Sequence, residues 1–350
     1  MTVFKDAKIR CSRVAVLFAC IAFLTTAAAR AANDNDTVAA ICAAWKRRYD
    51  ATRSVHCVVT GKRLFPKDTY GAQADHEAPL RCTWKLDLQR NRFRFECRDE
   101  TYREDKKAWL PQWEDTVFDG RIVKVHHAGI TAKRADWPDR QAEFAVHPSN
   151  YQCFLIFDCP VFLSLGIMPA YGTESNSTMR RPLYPETFTV HGRGTTNGRE
   201  CVILRSKPRQ PVPRVDEYWV DLERGATIMR WRQFPVSGER ADIECDIDYK
   251  EFSNGWQPSR FTTSSFTSNG KLVQHNQVAV TDFLTNADLD EATFELEPRA
   301  GMYFNDGIKL RLYQVAVDGR FVDPPPLGGP MTSNLKGSKA PELSGKVWLN

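Results

Sequence analysis

Apolar and polar residues alternate one by one along two neighbouring stretches in the first third of the chain. In residues 79–88, apolar side chains and a cysteine occupy every second position, and arginine, threonine, lysine and aspartate lie between them. Residues 91–97 repeat the pattern with Phe93, Phe95 and Cys97. A period of two places the apolar side chains on one face, so both stretches predict half-buried β-strands.

A two-residue turn at Gln89-Arg90 would join these strands into a hairpin. This register opposes Cys82 to Cys97, Trp84 to Phe95, and Leu86 to Phe93, all on one face. Because a one-residue slip would move every side chain to the other face, the stacking of all six favours this register. The pairing also predicts a disulfide between Cys82 and Cys97. The alternative is a pair of reduced, packed cysteines.

Further strand patterns dominate the rest of the chain. Residues 114–127 predict a second hairpin, because Asp119-Gly120 is a favoured two-residue turn between strand-like runs. A meander of strands separated by short turns is predicted at residues 186–191, 199–207, 215–222, 226–235, 241–252, 257–268 and 271–284, with a final strand at 308–317. Strands that follow one another in this way are typical of an antiparallel sheet.

Two segments favour helices. Residues 36–50 place apolar side chains, including Trp45, on one helical face, and Asp36 can cap the start. Residues 151–169 are apolar almost all round and predict one buried helix, or two short ones, ending at Pro169. A membrane span is the alternative, and Asp158 and Pro160 interrupt it. A polar connection is expected between the second hairpin and this segment, at about residues 129–150.

The N-terminal segment has the features of a secretory signal. Basic residues precede the apolar stretch 14–29, and a small-x-small site ends at Ala31. We expect cleavage near Ala31-Ala32 and a periplasmic or secreted protein, with an uncleaved membrane anchor as the alternative. Residues 1–31 hold five basic residues and one acidic residue of the chain's 48 and 43, which leaves 43 basic and 42 acidic residues. That balance does not indicate a nucleic-acid partner.

Cysteines and candidate catalytic groups add little chemistry. Eight cysteines remain after residue 31, without a Cys-x-x-Cys pair. Asn286, Asp288, Asp290 and Glu297 have calcium-loop spacing, but the sixth position is Glu291 instead of glycine. His126, His127 and His147 lack the spacing of a metal site, and there is no Gly-x-Ser-x-Gly motif. We therefore predict no catalytic residue, metal or cofactor.

Aromatic side chains are the most prominent candidate functional groups. On a curved sheet their inward-facing members would line a concave apolar cavity. The candidate ligand-binding residues are Trp84, Phe93, Phe95, Trp219 and Trp231. The alternative is an ordinary core, in which helices cover the same face.

Three stretches resemble the LolA-like superfamily of periplasmic lipoprotein carriers, which includes RseB-like sensors. "FDGRIVKVHH" is similar to the family's Asp-Gly hairpin, and "GRECVILRSK" with "EYWVDLERGATIMRWRQF" to its paired strands. Residues 281–307 resemble the closing strand and its exit, with Asn286, Phe294, Pro298 and Gly301 at matching positions. Phe294 is then expected to tuck under the sheet. The resemblance covers about residues 36–306.

The resemblance implies a mainly β fold in which a curved antiparallel sheet forms an incomplete barrel. An N-terminal helix and a mid-chain helical insertion would cover its concave face. We expect a signal peptide at 1–31, one domain at 36–319 and a disordered tail rich in proline, glycine and serine at 320–350.

The resemblance further implies a non-enzymatic binding protein, with a lipoprotein, lipid or fatty acid as ligand. An envelope interaction or stress-sensing module without lipid cargo is the first alternative. A secreted carbohydrate-active enzyme is the second. An envelope protein is a possible further partner.

Overall fold

The structure is a computed structural model that describes most of the chain after residue 32. The described residues are 33–104, 106–128, 142–148, 159–166, 168–169, 180–181, 185–208, 214–236, 238–252, 255–309 and 311–323. Residues 1–31, where the signal peptide is predicted, lie outside them. Among the described residues, no helix has both the length and the apolar composition needed to cross a membrane.

Two α-helices and eighteen strands are found in the described residues. Helix α1 comprises residues 33–51, and α2 is Cys159–Ser164. The strands are β1 Ser54–Phe65, β2 His76–Asp87, β3 Arg92–Arg103, β4 Ala108–Phe118, β5 Ile122–Ala128, β6 Ala142–Pro148, β7 Met168–Pro169, β8 Arg180–Arg181, β9 Phe188–Thr196, β10 Arg199–Ser206, β11 Arg214–Asp221, β12 Thr227–Pro235, β13 Ile243–Phe252, β14 Gly255–Phe266, β15 Leu272–Thr285, β16 Tyr303–Asp306, β17 Arg311–Val315 and β18 Phe321–Val322.

Sixteen of these strands form one sheet. Its order is β18-β17-β16-β6-β5-β4-β3-β2-β1-β15-β14-β13-β12-β11-β10-β9, and β7 pairs separately with β8. Neighbouring strands are antiparallel except β6 and β16, which are parallel. Because β9 and β18 are unpaired edges, the sheet is open. The predicted mainly β fold with a curved, incompletely closed antiparallel sheet is confirmed.

The sheet buries apolar side chains on both faces. We call the face that carries α1 and α2 the helix face; its core joins both helices to residues such as Val55, Cys57 and Trp84. We call the opposite side the outer face. There the segment between β15 and β16 places Phe294 and Leu296 against β4 to β6, in a second and smaller core. The expectation that Phe294 tucks under the sheet is confirmed, since it is 3% exposed.

The register predicted for the first hairpin is confirmed. Cys82 pairs with Cys97, and Trp84 pairs with Phe95. The two-residue turn is wrong, because β2 ends at Asp87 and β3 begins at Arg92, which leaves a four-residue loop. Asp87 closes it by accepting a hydrogen bond from the Arg90 backbone N–H at 2.9 Å. The loop preserves the register because it adds one residue to each side of the predicted turn.

Four further expectations are corrected by the structure. The second hairpin is present, but three residues separate β4 from β5 at Asp119-Gly120. Strands β1, β6, β8 and β16 were not predicted, and β6 lies within the expected polar connection. The predicted helical segment 151–169 contains α2 and then β7. The last strand, β18, lies beyond residue 320, where the tail was expected to begin.

Candidate functional site

Helix α1 attaches to the helix face through one apolar stripe. Val38, Ile41 and Trp45 are each at most 3% exposed. The Trp45 indole N–H donates to the Ala226 carbonyl oxygen at 2.7 Å, so its polar atom is satisfied within the core. Its ring packs 6.1 Å from the ring of Tyr218. The predicted amphipathic helix is therefore confirmed, and its tryptophan anchors it to β11 and the turn before β12.

Helix α2 is a six-residue plug on the same face. It contacts β12, β13 and β14, and all its described side chains are buried. The turn that follows it rests on α1. A Cβ atom on Gly166 would lie 2.5 Å from the Trp45 ring, and Gly166 has φ +71°. Only glycine fits this turn without strain, so the close contact between the two helices depends on it.

Four of the five candidate cavity residues come together in this core. Trp84, Phe93, Phe95 and Trp231 are each at most 3% exposed and belong to one cluster with α1 and α2. In the described residues, the helices fill the space that the sequence suggested for a ligand. The ordinary core and the ligand cavity are therefore two hypotheses about one surface, which α1 and α2 cover in the described residues.

Trp219, the fifth candidate, is half-buried and packs against the same core without belonging to its buried cluster. Its indole N–H donates to Glu217 Oε1 at 2.8 Å. Guanidinium carbons of Arg230 and Arg232 lie 5.5 Å and 5.7 Å from its ring. Gly194 lies directly beneath the ring, since a Cβ there would be 2.6 Å away. Trp219 is thus a partly exposed neighbour of the helix-face core, next to the buried Tyr218 in β11.

One polar atom in the helix-face core has no partner in the described part of the chain. Trp231 is fully buried, and its indole N–H donates no hydrogen bond there. A buried donor without an acceptor costs about 1–3 kcal/mol. The Trp45 indole in the same core is satisfied, which makes the unsatisfied Trp231 donor a local exception.

The helix face becomes polar toward the other end of the central strands. Arg63 and Asp99 form an ion pair whose side chains are 5% and 2% exposed. Arg63 Nε also donates to Asn276 Oδ1 at 3.0 Å, and Asn276 donates to Thr263 Oγ1 at 2.8 Å. Burial raises the pKa of the Asp99 carboxyl, against the opposing effect of Arg63. This network sets a polar boundary to the apolar core.

Cys82 and Cys97 lie between the apolar core and this network. Both are free thiols in the structure, with Sγ atoms 3.2 Å apart. Burial, followed by the neighbouring Cys97, raises the pKa of the Cys82 thiol well above its usual value. The register brings the two side chains together, and the disulfide itself stays a prediction.

The acidic segment between β15 and β16 is used for structure. Asn286, at φ 59°, accepts from the Arg53 backbone N–H at 2.7 Å. Asp290 caps a short 3₁₀ helix by accepting from the Thr293 backbone N–H at 2.8 Å. Glu291 forms ion pairs with Arg90 and Arg92. These contacts fasten the segment to the outer face.

No protein-family model and no curated protein matches the chain. A search of solved structures finds a putative outer membrane lipoprotein-sorting protein domain from Vibrio parahaemolyticus. It is 11% identical over 73% of this chain and 94% of that chain, with a TM-score of 0.42. It also finds MucB of Pseudomonas aeruginosa, in a complex with MucA. That match is 14% identical over 73% of this chain and 60% of that chain, with a TM-score of 0.26.

The search thus returns both groups that the sequence resemblance named, since MucB is a homologue of RseB. The likeness concerns the fold alone. Because both identities are below 25% and both TM-scores below 0.5, function has to be argued from the side chains themselves.

Proposed function

We propose that this chain is an exported, non-enzymatic binding protein that holds the acyl chain of a lipid or lipoprotein in its helix-face core. The acyl chain takes the place of α2 against β12 to β14. Residues 36–319 act as one domain, which β18 extends to Val322, since a single sheet joins β1 to β18. The periplasm or the extracellular space is the compartment that suits such a cargo.

The free energies of the two occupants support an exchange. The buried plug side chains are Val161, Phe162, Leu163 and Leu165, each at most 2% exposed. Burial of four such side chains contributes roughly 6–12 kcal/mol, at about 1.5–3 kcal/mol each. A sixteen-carbon acyl chain contributes about 0.8 kcal/mol per methylene, or roughly 12 kcal/mol. An acyl chain therefore offsets the loss of the plug.

The unsatisfied Trp231 indole is the observation that carries the proposal. An acyl group brings a carbonyl or carboxylate oxygen with its apolar chain, and that oxygen can accept the indole hydrogen bond. A purely apolar plug such as α2 leaves the donor without a partner among the described residues. The site is thus apolar with one buried donor, the arrangement expected of small-molecule pockets.

A fluorescent fatty acid tests this function directly. The purified protein should bind the probe saturably, and Trp231→Phe should weaken binding about fivefold, the equivalent of one hydrogen bond of ~1 kcal/mol. The melting temperature of Trp231→Phe is measured alongside, because the smaller ring leaves a cavity while the loss of the unsatisfied donor acts in the opposite direction. Trp219→Phe is the matched control: it removes an indole donor that Glu217 already satisfies and should leave probe binding unchanged.

An envelope interaction module without lipid cargo is the second candidate. The observation that favours it is the fully occupied helix face. Native mass spectrometry of the protein purified from its own compartment separates the two functions. A co-purifying lipid supports acyl binding, whereas bare protein that also fails to bind the probe supports the interaction module.

A further inference from the structure

A row of side chains crosses six strands on the outer face. The register pairs Arg260 with Ala279, Ala279 with Thr60, Thr60 with Arg81, Arg81 with Arg98, and Arg98 with Trp113. Thr60 and Ala279, in the middle of the row, have small side chains, so the protein surface is depressed there. An open groove of about 920 Å³ lies along its β1 to β4 half. Arg299, from the segment before β16, lines the same groove.

Three cations of this groove have no anionic partner. Within the described residues, Arg81, Arg98 and Arg299 form no ion pair, and all three are exposed. The groove is also lined by two carboxylates, fewer than its three arginines. Asp99 pairs with Arg63, and Glu100 lies 2.7 Å from His76 Nε2. The groove therefore carries an excess of positive charge.

The register makes this excess costly for the empty protein. Arg81 and Arg98 are directly opposite on neighbouring strands, and like charges in that position are destabilising. Behind them His126 adds no charge, because burial, then Arg299 and His127, lower its pKa to about 4. An anion between the guanidinium groups would remove the repulsion and accept charge-assisted hydrogen bonds from each.

The walls of the groove suit an amphiphilic anion better than a peptide. They are mainly apolar and include Pro79, Pro111 and the half-buried Trp113. Strands β1 to β4 are all interior strands, so a peptide cannot add to an edge there. Three guanidinium groups match a phosphate, with its charge of up to −2, more closely than a single carboxylate. An indole beside them is suited to the boundary between lipid and water.

We propose that Arg81, Arg98, Arg299 and Trp113 form a binding site for the phosphate head group of an anionic lipid. The guanidinium groups bind the phosphate oxygens, and the indole with the two prolines contacts the adjoining apolar part of the lipid. This site is on the face opposite the acyl site and stands or fails independently of it.

Vesicles of phosphatidylcholine with and without phosphatidic acid test the site by co-sedimentation. The full chain should bind the vesicles that contain phosphatidic acid and not those of phosphatidylcholine alone. The double variant Arg81→Gln/Arg98→Gln should bind about thirtyfold more weakly. Each arginine near an anionic surface strengthens binding about fivefold, and the double variant removes two of them. The control Arg121→Gln/Arg193→Gln removes two exposed arginines outside the groove and should change binding less than twofold.

A Trp113→Leu variant and two soluble probes complete the test. Trp113→Leu should weaken vesicle binding while leaving the response to salt unchanged, because it removes no charge. Equal loss in both double variants would mean that only net charge matters and would overturn the site. Binding of inorganic phosphate without vesicle binding would overturn the lipid assignment. Binding of an oligoglutamate peptide, displaced by neither phosphate nor vesicles, would overturn the phosphate assignment.

Discussion

Replacement of Phe162 by alanine in α2 separates a removable plug from a permanent core residue. Phe162 is 1% exposed and packs in the helix-face core. In the free protein, Phe162→Ala should cost about 3–5 kcal/mol of unfolding free energy, the usual cost of emptying a buried phenylalanine site. If α2 stayed in place when the ligand bound, Phe162→Ala would lower the unfolding free energy equally in the free and the ligand-bound protein.

The proposed exchange predicts a different result. If the acyl chain displaces α2, Phe162 is outside the core in the bound state, and its truncation costs little there. The free state alone is destabilised, so the apparent affinity rises by the difference. The lower end of that cost, about 3 kcal/mol, corresponds to roughly 150-fold tighter binding when truncation costs nothing in the bound state. A rise of about tenfold is already diagnostic, because most cavity mutations in a binding site weaken binding.

The assay combines unfolding and binding on the same variants. Urea unfolding gives the change in stability, and titration with the fluorescent fatty acid gives the change in affinity. Phe261→Ala is the matched control: Phe261 is 2% exposed in the same core but belongs to β14, which stays in place. It should lose similar stability and gain no affinity. If Phe162→Ala proves too unstable, Phe162→Leu should show smaller changes of the same signs.

Two results would refute the reasoning. A fall in stability for Phe162→Ala with unchanged or weaker probe binding would show that α2 remains in place when the ligand binds. Equal gains in affinity for Phe162→Ala and Phe261→Ala would show that any new cavity admits the probe. In both cases the helix face would be an ordinary core.

Three further predictions concern pH, oxidation and the turn between the helices. The pKa of buried His126 is lowered to about 4, so between about pH 6.5 and 4 only the unfolded state binds a proton. As the pH falls over that range, the free energy of unfolding measured in urea should fall by ~3 kcal/mol. His126→Leu should make the free energy of unfolding less dependent on pH. Oxidised protein should yield a peptide joined by Cys82 and Cys97, which enclose a 15-residue loop worth about 3 kcal/mol, whereas free thiols after oxidation would exclude the bond. Gly166→Ala should lower the melting temperature by at least the equivalent of ~1 kcal/mol, because φ is positive and Trp45 lies too close for a Cβ atom; an unchanged melting temperature would mean that α2 does not rest on α1.

Alternation along single strands was enough to predict the strands and the first register. The opposition of Trp84 and Phe95 follows from a rule about neighbours in sequence, namely that successive side chains point to opposite faces. Strand β1 carries a comparable alternation in Val55, Cys57 and Val59, so the same rule is sufficient to predict it. The length of the turn could not be predicted from the alternation. A two-residue turn and a four-residue loop give the same register, because the longer loop adds one residue on each side.

Long-range contacts were beyond the reach of the sequence patterns. Strand β6 pairs in parallel with β16, more than 150 residues later in the chain, and neither short strand has a distinctive pattern. The pairing of β11 with β12 shifts in register between Trp219 and Val220, which alternation along either strand alone does not indicate. The same limit applies to the outer-face groove, since Arg81, Arg98 and Arg299 each look like an ordinary surface charge until the register brings them to one groove.

The order of the sheet places the two proposed sites on opposite faces of the same strands. In β1, Cys57 and Val59 point to the helix-face core, whereas Thr60 lies in the outer groove. In β2, Trp84 belongs to the core and Arg81 to the groove. One lipid molecule cannot pass through a hydrogen-bonded sheet to occupy both sites. The phosphate site is therefore suited to contact with a membrane surface while the helix face holds or releases a separate acyl chain, and variants on one face should leave binding on the other unchanged.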